Sequence, residues 1–119
     1  MGNTNNSSST PKMVSADTKN LVDSAISDND VMVFSKTGCP YCRKAIMAIN
    51  ELNPKGLNVL QIENLPDMAG IQDYLKEKTG GRSVPRVFIK GEFLGGGDET
   101  ARAKQDGTLK SKFIEIGAL

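Results

Sequence analysis

Val31-Met32-Val33-Phe34-Ser35-Lys36-Thr37-Gly38-Cys39-Pro40-Tyr41-Cys42 is the stretch on which the fold turns. Its first four residues are a continuous apolar run, the pattern of a strand buried on both faces. A loop follows over 35–40. Beyond it, Ala45, Ile46, Ile49 and Leu52 recur at helical spacing and stop near Asn53-Pro54. The two cysteines therefore sit where a strand ends and a helix begins.

The flanking sequence extends this pattern. Upstream, Leu21, Val22, Ala25 and Ile26 share one helical face. Downstream, 57–62 reads as a strand. Ile71, Tyr74, Leu75 and Lys78 mark a third helix, closed by Gly80-Gly81. A strand over 84–89 has Pro85 at its start, a position that strands tolerate. Lys90-Gly91 makes a hairpin turn, and 92–94 pairs back. Gly95-Gly96-Gly97 interrupts the chain, and two short helices finish it with Leu109, Phe113 and Ile116 inward. The order is α-β-α-β-α-β-β-α-α. A helical crossover makes the first two strands parallel, and the last two form an antiparallel hairpin. The expectation is an α/β fold: a four-stranded mixed sheet with helices on both faces.

Residues 1–16 are rich in Ser, Thr and Asn and read as a disordered tail, leaving 17–119 as one domain. Met1-Gly2-Asn3 resembles an acylation start, but Asn6 stands where Ser or Thr is wanted and Ser7 comes one place late. The 119 residues carry a net charge of +1, which argues against a nucleic-acid binder. No run approaches the roughly 18 apolar residues of a membrane span. The N-terminus lacks the apolar core of a secretory signal, and no arginine precedes Arg43. A cytoplasmic, reducing setting is expected.

The chain has two cysteines and no histidine. A disulfide scaffold needs more cysteines at wider spacing, and a structural zinc site needs two further ligands. Redox chemistry remains, with no metal and no tightly bound cofactor. At a helix start, free amides and the helix dipole favour a thiolate on Cys39. Lys36, Arg43 and Lys44 add positive charge, and the Cys42 thiol can donate to the thiolate. Cysteine titrates near about 8.5, and such settings lower it to roughly 3.5–7.5. The thiolate is the attacking species in exchange. Cys39 is thus the expected nucleophile, and Cys42, inside the first turn, the resolving thiol.

Four separated segments resemble the glutaredoxin family, over about residues 20–119. Ser35-Lys36-Thr37-Gly38-Cys39-Pro40-Tyr41-Cys42 is similar to its dithiol active-site segment. Ile71-Gln72-Asp73-Tyr74-Leu75 is similar to its third helix. Arg82-Ser83-Val84-Pro85-Arg86-Val87-Phe88-Ile89 is similar to its cis-proline segment, with Ser83 in place of the more usual threonine. Leu94-Gly95-Gly96-Gly97-Asp98-Glu99 is similar to its glycine pair and acidic positions.

The resemblance implies a thioredoxin-like fold and a groove for glutathione, which serves as reductant and co-substrate. Lys36 would meet the glycyl carboxylate, with Gln72 donating beside it. Val84 would pair its main chain with the cysteinyl part, with Pro85 cis next to it. Gly96 and Gly97 would admit the γ-glutamyl end. Amides near Asp98 and Glu99 would take its carboxylate, and their side chains its ammonium. The family more often has Asp where Glu99 stands. Tyr41 would wall the groove. Asp98 is also a natural N-cap, and Arg82 and Arg86 read as sheet-edge surface charges. The implied partners are glutathione and glutathionylated or disulfide-containing proteins, met by a monomer. Two rivals remain open at this stage: a dimeric glutathione-ligated [2Fe–2S] carrier, which the stiff Pro40 disfavours, and a redox adaptor without catalysis.

Overall fold

The structure is a computed structural model that describes residues 13–119. The acylation motif at Gly2 and the tail up to residue 12 lie outside the described residues. The elements are α1 (Ala16–Asp28), β1 (Val31–Ser35), α2 (Pro40–Leu52), β2 (Leu57–Gln61), a 3₁₀ turn (Ile62–Asn64), α3 (Met68–Thr79), β3 (Arg86–Ile89), β4 (Glu92–Gly95), α4 (Gly97–Gln105) and α5 (Thr108–Glu115).

The sheet order is β2-β1-β3-β4. β1 pairs parallel with β2, Val31 opposite Leu57, and antiparallel with β3, Val31 opposite Ile89. The thioredoxin-like mixed sheet is as expected. Side chains of β1 alternate between two cores. Val31 and Val33 pack with Ala45 and Ile49 of α2, Ala103 of α4, and Leu109 and Phe113 of α5. Met32 and Phe34 pack with Val22 and Ile26 of α1 and with Ile71 and Leu75 of α3. All five β1 residues are buried, which is why the strand has no polar alternation to read.

Local chemistry sets the helix ends. Ser15 Oγ accepts from the Thr18 amide at 3.1 Å, so α1 starts at Ala16, one residue inside the segment read as tail. Asn53 ends α2 in the left-handed region, with Pro54 behind it. Asp67 Oδ1 accepts from the Gly70 amide at 3.2 Å to start α3, and Gly80 ends it at φ 87°. Lys90 and Gly91 both have positive φ, as a tight two-residue hairpin turn requires.

Four strand boundaries differ from the sequence reading: β1 and β4 each run one residue further, to Ser35 and Gly95, and two others fall short. The strand expected over 84–89 begins at Arg86, because Pro85 has no N–H for the ladder. The strand expected to reach Ile62 stops at Gln61, where the chain tightens into the 3₁₀ turn and Ile62 drops into the α1–α3 core. Among the described residues, no helix is long and apolar enough to cross a membrane.

Candidate active site

Cys39 is the N-cap of α2 and Pro40 its first helical residue. This follows from sequence: proline is pre-set for the first turn and has no amide to leave unsatisfied there. Sγ of Cys39 accepts from the Cys42 amide at 3.3 Å, the place where a capping side chain normally puts its oxygen. Cys39 is partly exposed, whereas Cys42 is 1% exposed. Burial pushes the Cys42 thiol up, and its hydrogen bond with Cys39 pushes it the same way. Cys42 therefore holds its proton, and Cys39 is the accessible member of the pair.

On one side of Cys39 the Val84 carbonyl lies 3.9 Å from Sγ. The Val84–Pro85 bond is cis, as the resemblance implied. From there a cleft of about 610 Å³ runs along Val84, Pro85 and Arg86, past Tyr41, to Gly96, Gly97, Asp98 and Glu99. On the other side a recess of about 210 Å³ holds Lys36, Arg43, Met47 and Gln61 beside the two cysteines.

Of the sequence candidates, Tyr41, Val84, Pro85, Gly97, Asp98 and Glu99 meet in the larger cleft. Lys36 lies in the smaller recess. Gln72 lies in neither. It is buried, and its side-chain amide donates to the Arg82 carbonyl at 3.0 Å, which ties α3 to the segment before Val84. Asp98 is not the N-cap of α4. Gly96 is, and Glu99 Oε1 accepts from the Gly96 amide at 2.7 Å. Lys44 does not face Cys39 either. Its Nζ lies 2.8 Å from Asp98 Oδ1, which lowers the Asp98 carboxyl and raises the Lys44 ammonium. Gly97 is required by packing: a Cβ there would lie 2.6 Å from the Tyr41 carbonyl oxygen, where α4 crosses α2.

Several residues at the site were not found from sequence, among them Arg86 and Glu63. Arg86 lines the cleft, bonded to the Ser83 carbonyl at 2.7 Å and set over the Phe93 ring at 5.3 Å. Its alternation with Val87 along the strand was the available signal. Glu63 accepts from the Thr37 amide with both oxygens, at 3.3 and 3.2 Å. Hydrogen bonding from Thr37 is the main cause that holds the Glu63 carboxyl below its usual range. The two residues are 26 apart in sequence, so no local pattern marks the pair.

A partly exposed cysteine at a helix start, a protonated cysteine one turn on, and an open cleft beside them define a thioredoxin-like thiol–disulfide oxidoreductase. Comparison with known proteins narrows the class. The Glutaredoxin family model matches residues 31–94. Glutaredoxin-1 of Rhizophagus irregularis is 45% identical over 96 residues, covering 81% of this chain and 93% of the relative. The crystal structure of oxidized glutaredoxin 2 from Chlamydomonas reinhardtii superposes with a TM-score of 0.81 at 50% identity, covering 87% of this chain and 97% of that one. A buckwheat glutaredoxin–glutathione complex superposes with a TM-score of 0.80 at 31% identity, covering 86% and 92%. The chain belongs to the glutaredoxin family.

Proposed function

We propose that this protein reduces protein–glutathione mixed disulfides and protein disulfides with glutathione as the electron source. The observation that carries the reading is the Val84 main chain. It lies outside the β3 ladder, beside Cys39, with its carbonyl 3.9 Å from the sulfur. An extended cysteinyl peptide can pair with such a backbone as an added strand, and this delivers its sulfur to Cys39. The solved complex of a buckwheat relative with glutathione supports the choice of peptide.

In the proposed reaction the Cys39 thiolate attacks the glutathione sulfur of the mixed disulfide. The old S–S bond breaks, a Cys39–glutathione disulfide forms, and the target leaves as a thiolate that takes a proton from water. A second glutathione thiolate attacks the same glutathione sulfur, releasing oxidised glutathione and restoring Cys39. For a protein disulfide, Cys39 makes the mixed disulfide with the target. Cys42 then loses its proton and attacks the Cys39 sulfur, freeing the second target thiol. Two glutathiones reduce the Cys39–Cys42 bridge. Glutaredoxin potentials of about −200 to −230 mV lie near the glutathione poise, so the traffic can run either way. The same reading has a monomer acting in the cytoplasm, where the thiol pool keeps both cysteines free.

The test is glutathione-coupled reduction of a small glutathione mixed disulfide by the parent and by each single-cysteine variant. Turnover by the parent and by Cys42→Ser, but not by Cys39→Ser, is expected. No turnover by the parent would overturn the reading.

A further inference from the structure

When Cys39 is held in a disulfide with a target protein, Cys42 must give up its proton in a place that leaves it 1% exposed. A thiolate there is costly, because burial strips it of water. Burial is the main cause that raises the Cys42 thiol, and its hydrogen bond with Cys39 adds to it. The second cause disappears once the Cys39 sulfur is bonded to a target. Burial remains, and two hydrogen-bonding groups oppose it: the hydroxyl of Ser35 and the main chain at Lys36.

Ser35 is the last residue of β1, is 0% exposed, and lines the smaller recess together with Cys42. Its other hydrogen bond, to the Lys36 carbonyl, is 3.4 Å long, so the hydroxyl hydrogen is weakly held there. Gln61 stands opposite Ser35 in the β1–β2 pairing, and its Oε1 is buried without a partner among the described residues. That oxygen only accepts and cannot stabilise an anion. Thr37 and Arg43 also line the recess but are exposed, and Lys36 is partly exposed, so water screens both charges. Ser35 is the side-chain donor enclosed with Cys42.

We propose that Ser35 is a further catalytic residue for the reduction of protein disulfides: its hydroxyl donates to the Cys42 sulfur as that sulfur becomes the nucleophile. In this step the Cys42 proton passes to water. The Cys42 electron pair forms the bond to the Cys39 sulfur, and the bond between Cys39 and the target breaks. Its electron pair leaves with the target thiolate, which takes a proton from water. The Ser35 hydroxyl turns from the Lys36 carbonyl to the thiolate and keeps its own hydrogen throughout. The inference rests on the disulfide branch of the proposed function and assigns the group that assists its second step.

The experiment isolates that step. Cys39 is loaded with a chromogenic aromatic thiol, and release of the coloured thiolate is followed as Cys42 closes on Cys39. Ser35→Thr and Ser35→Val share a shape and differ in the hydroxyl. At neutral pH, release should be roughly threefold to tenfold slower in Ser35→Val than in Ser35→Thr, and likewise slower in Ser35→Ala than in the parent. Without the donor the Cys42 thiolate is scarcer, though each thiolate is a stronger nucleophile. The deficit should therefore vanish or reverse at alkaline pH, where Cys42 is ionised in every variant.

Equal release at every pH within each pair of proteins, or a deficit of the same factor at every pH, would overturn the assignment. Glutathione takes no part in the release, so a parent that fails to turn over a glutathione disulfide sinks the glutathione reading alone.

Discussion

Cys39 and Cys42 share the first turn of α2 yet meet different surroundings. Cys39 is partly exposed and its Sγ accepts an amide hydrogen bond, while Cys42 is buried. Burial raises the Cys42 thiol above its ordinary value. The linkage sign follows: the folded state holds that proton more tightly than the unfolded state. The stabilisation is present below the unfolded thiol value of about 8.5 and is lost as pH rises through the folded one. At neutral pH, iodoacetamide should modify Cys39 and spare Cys42, also in Cys39→Ser, as read by mass spectrometry. Rapid labelling of Cys42 in that variant would contradict its burial. Glu63 titrates in the opposite sense. Its folded value is depressed, so its hold on the Thr37 amide is present above the unfolded value of about 4.3 and is lost as pH falls through the depressed one. The amide shift of Thr37 in NMR spectra should therefore titrate below the ordinary glutamate range. In Glu63→Gln that titration should vanish, and KM for a glutathione disulfide should rise because the Lys36–Gly38 loop loses its charged anchor. A Thr37 shift that is flat with pH in the parent would remove Glu63 from the loop.

At the scale of elements, the parts that were legible are those that depend on local pattern. The buried run at Val31, the helix face at Ala45 and Ile49, and the hairpin at Lys90-Gly91 each carry a period or a turn signal. The Cys39–Cys42 site was legible for the same reason, since its chemistry is set by four consecutive residues at a strand–helix junction. What was not legible depends on partners far apart in sequence. Lys44 looked like a charge near Cys39 because it is two residues past Cys42, but it points across to Asp98 on α4. Gln72 reads from sequence as a groove residue, and the bond it donates to the Arg82 carbonyl, ten residues on, has no local pattern to mark it. Asp98 looked like a cap, but Glu99 reaches back to Gly96 instead. Gly97 shows how one residue position couples two elements. A methyl group there would lie 2.6 Å from the Tyr41 carbonyl oxygen and 3.1 Å from Tyr41 Cβ. The contact is with backbone, so a helix must move. Gly97→Ala should cost about 1–3 kcal/mol by overpacking. It should also raise KM, because Tyr41 and Asp98 both line the cleft. Unchanged denaturation and unchanged KM would mean that α4 does not approach α2 this closely.

The whole molecule has two cores separated by one sheet, and they support different parts of the site: α2 and α4 rest on one, while Val84 packs against the other. Val31, Val33 and Ile49 lie on the side where α2 and α4 carry Cys39, Tyr41 and Asp98. Val22, Ile26 and Phe34 lie on the side of α1 and α3. Burial is similar on both, with Ile49 0% and Ile26 7% exposed, so truncation should cost similar stability. Ile49→Ala and Ile26→Ala should each lose about 2–5 kcal/mol, seen as a lowered denaturation midpoint with an unchanged slope. Their functional effects should differ. A cavity under α2 lets the helix that carries both cysteines settle, and displacements well below 1 Å matter where sulfur must meet sulfur in line. Ile49→Ala should therefore lower kcat/KM for a glutathione disulfide at a temperature where both variants are fully folded. Ile26→Ala should leave it near the parent value, because α1 supplies no residue to either recess beside Cys39. Equal activity loss in the two variants would show that the sheet transmits packing changes from one face to the other, and that turnover depends equally on both cores.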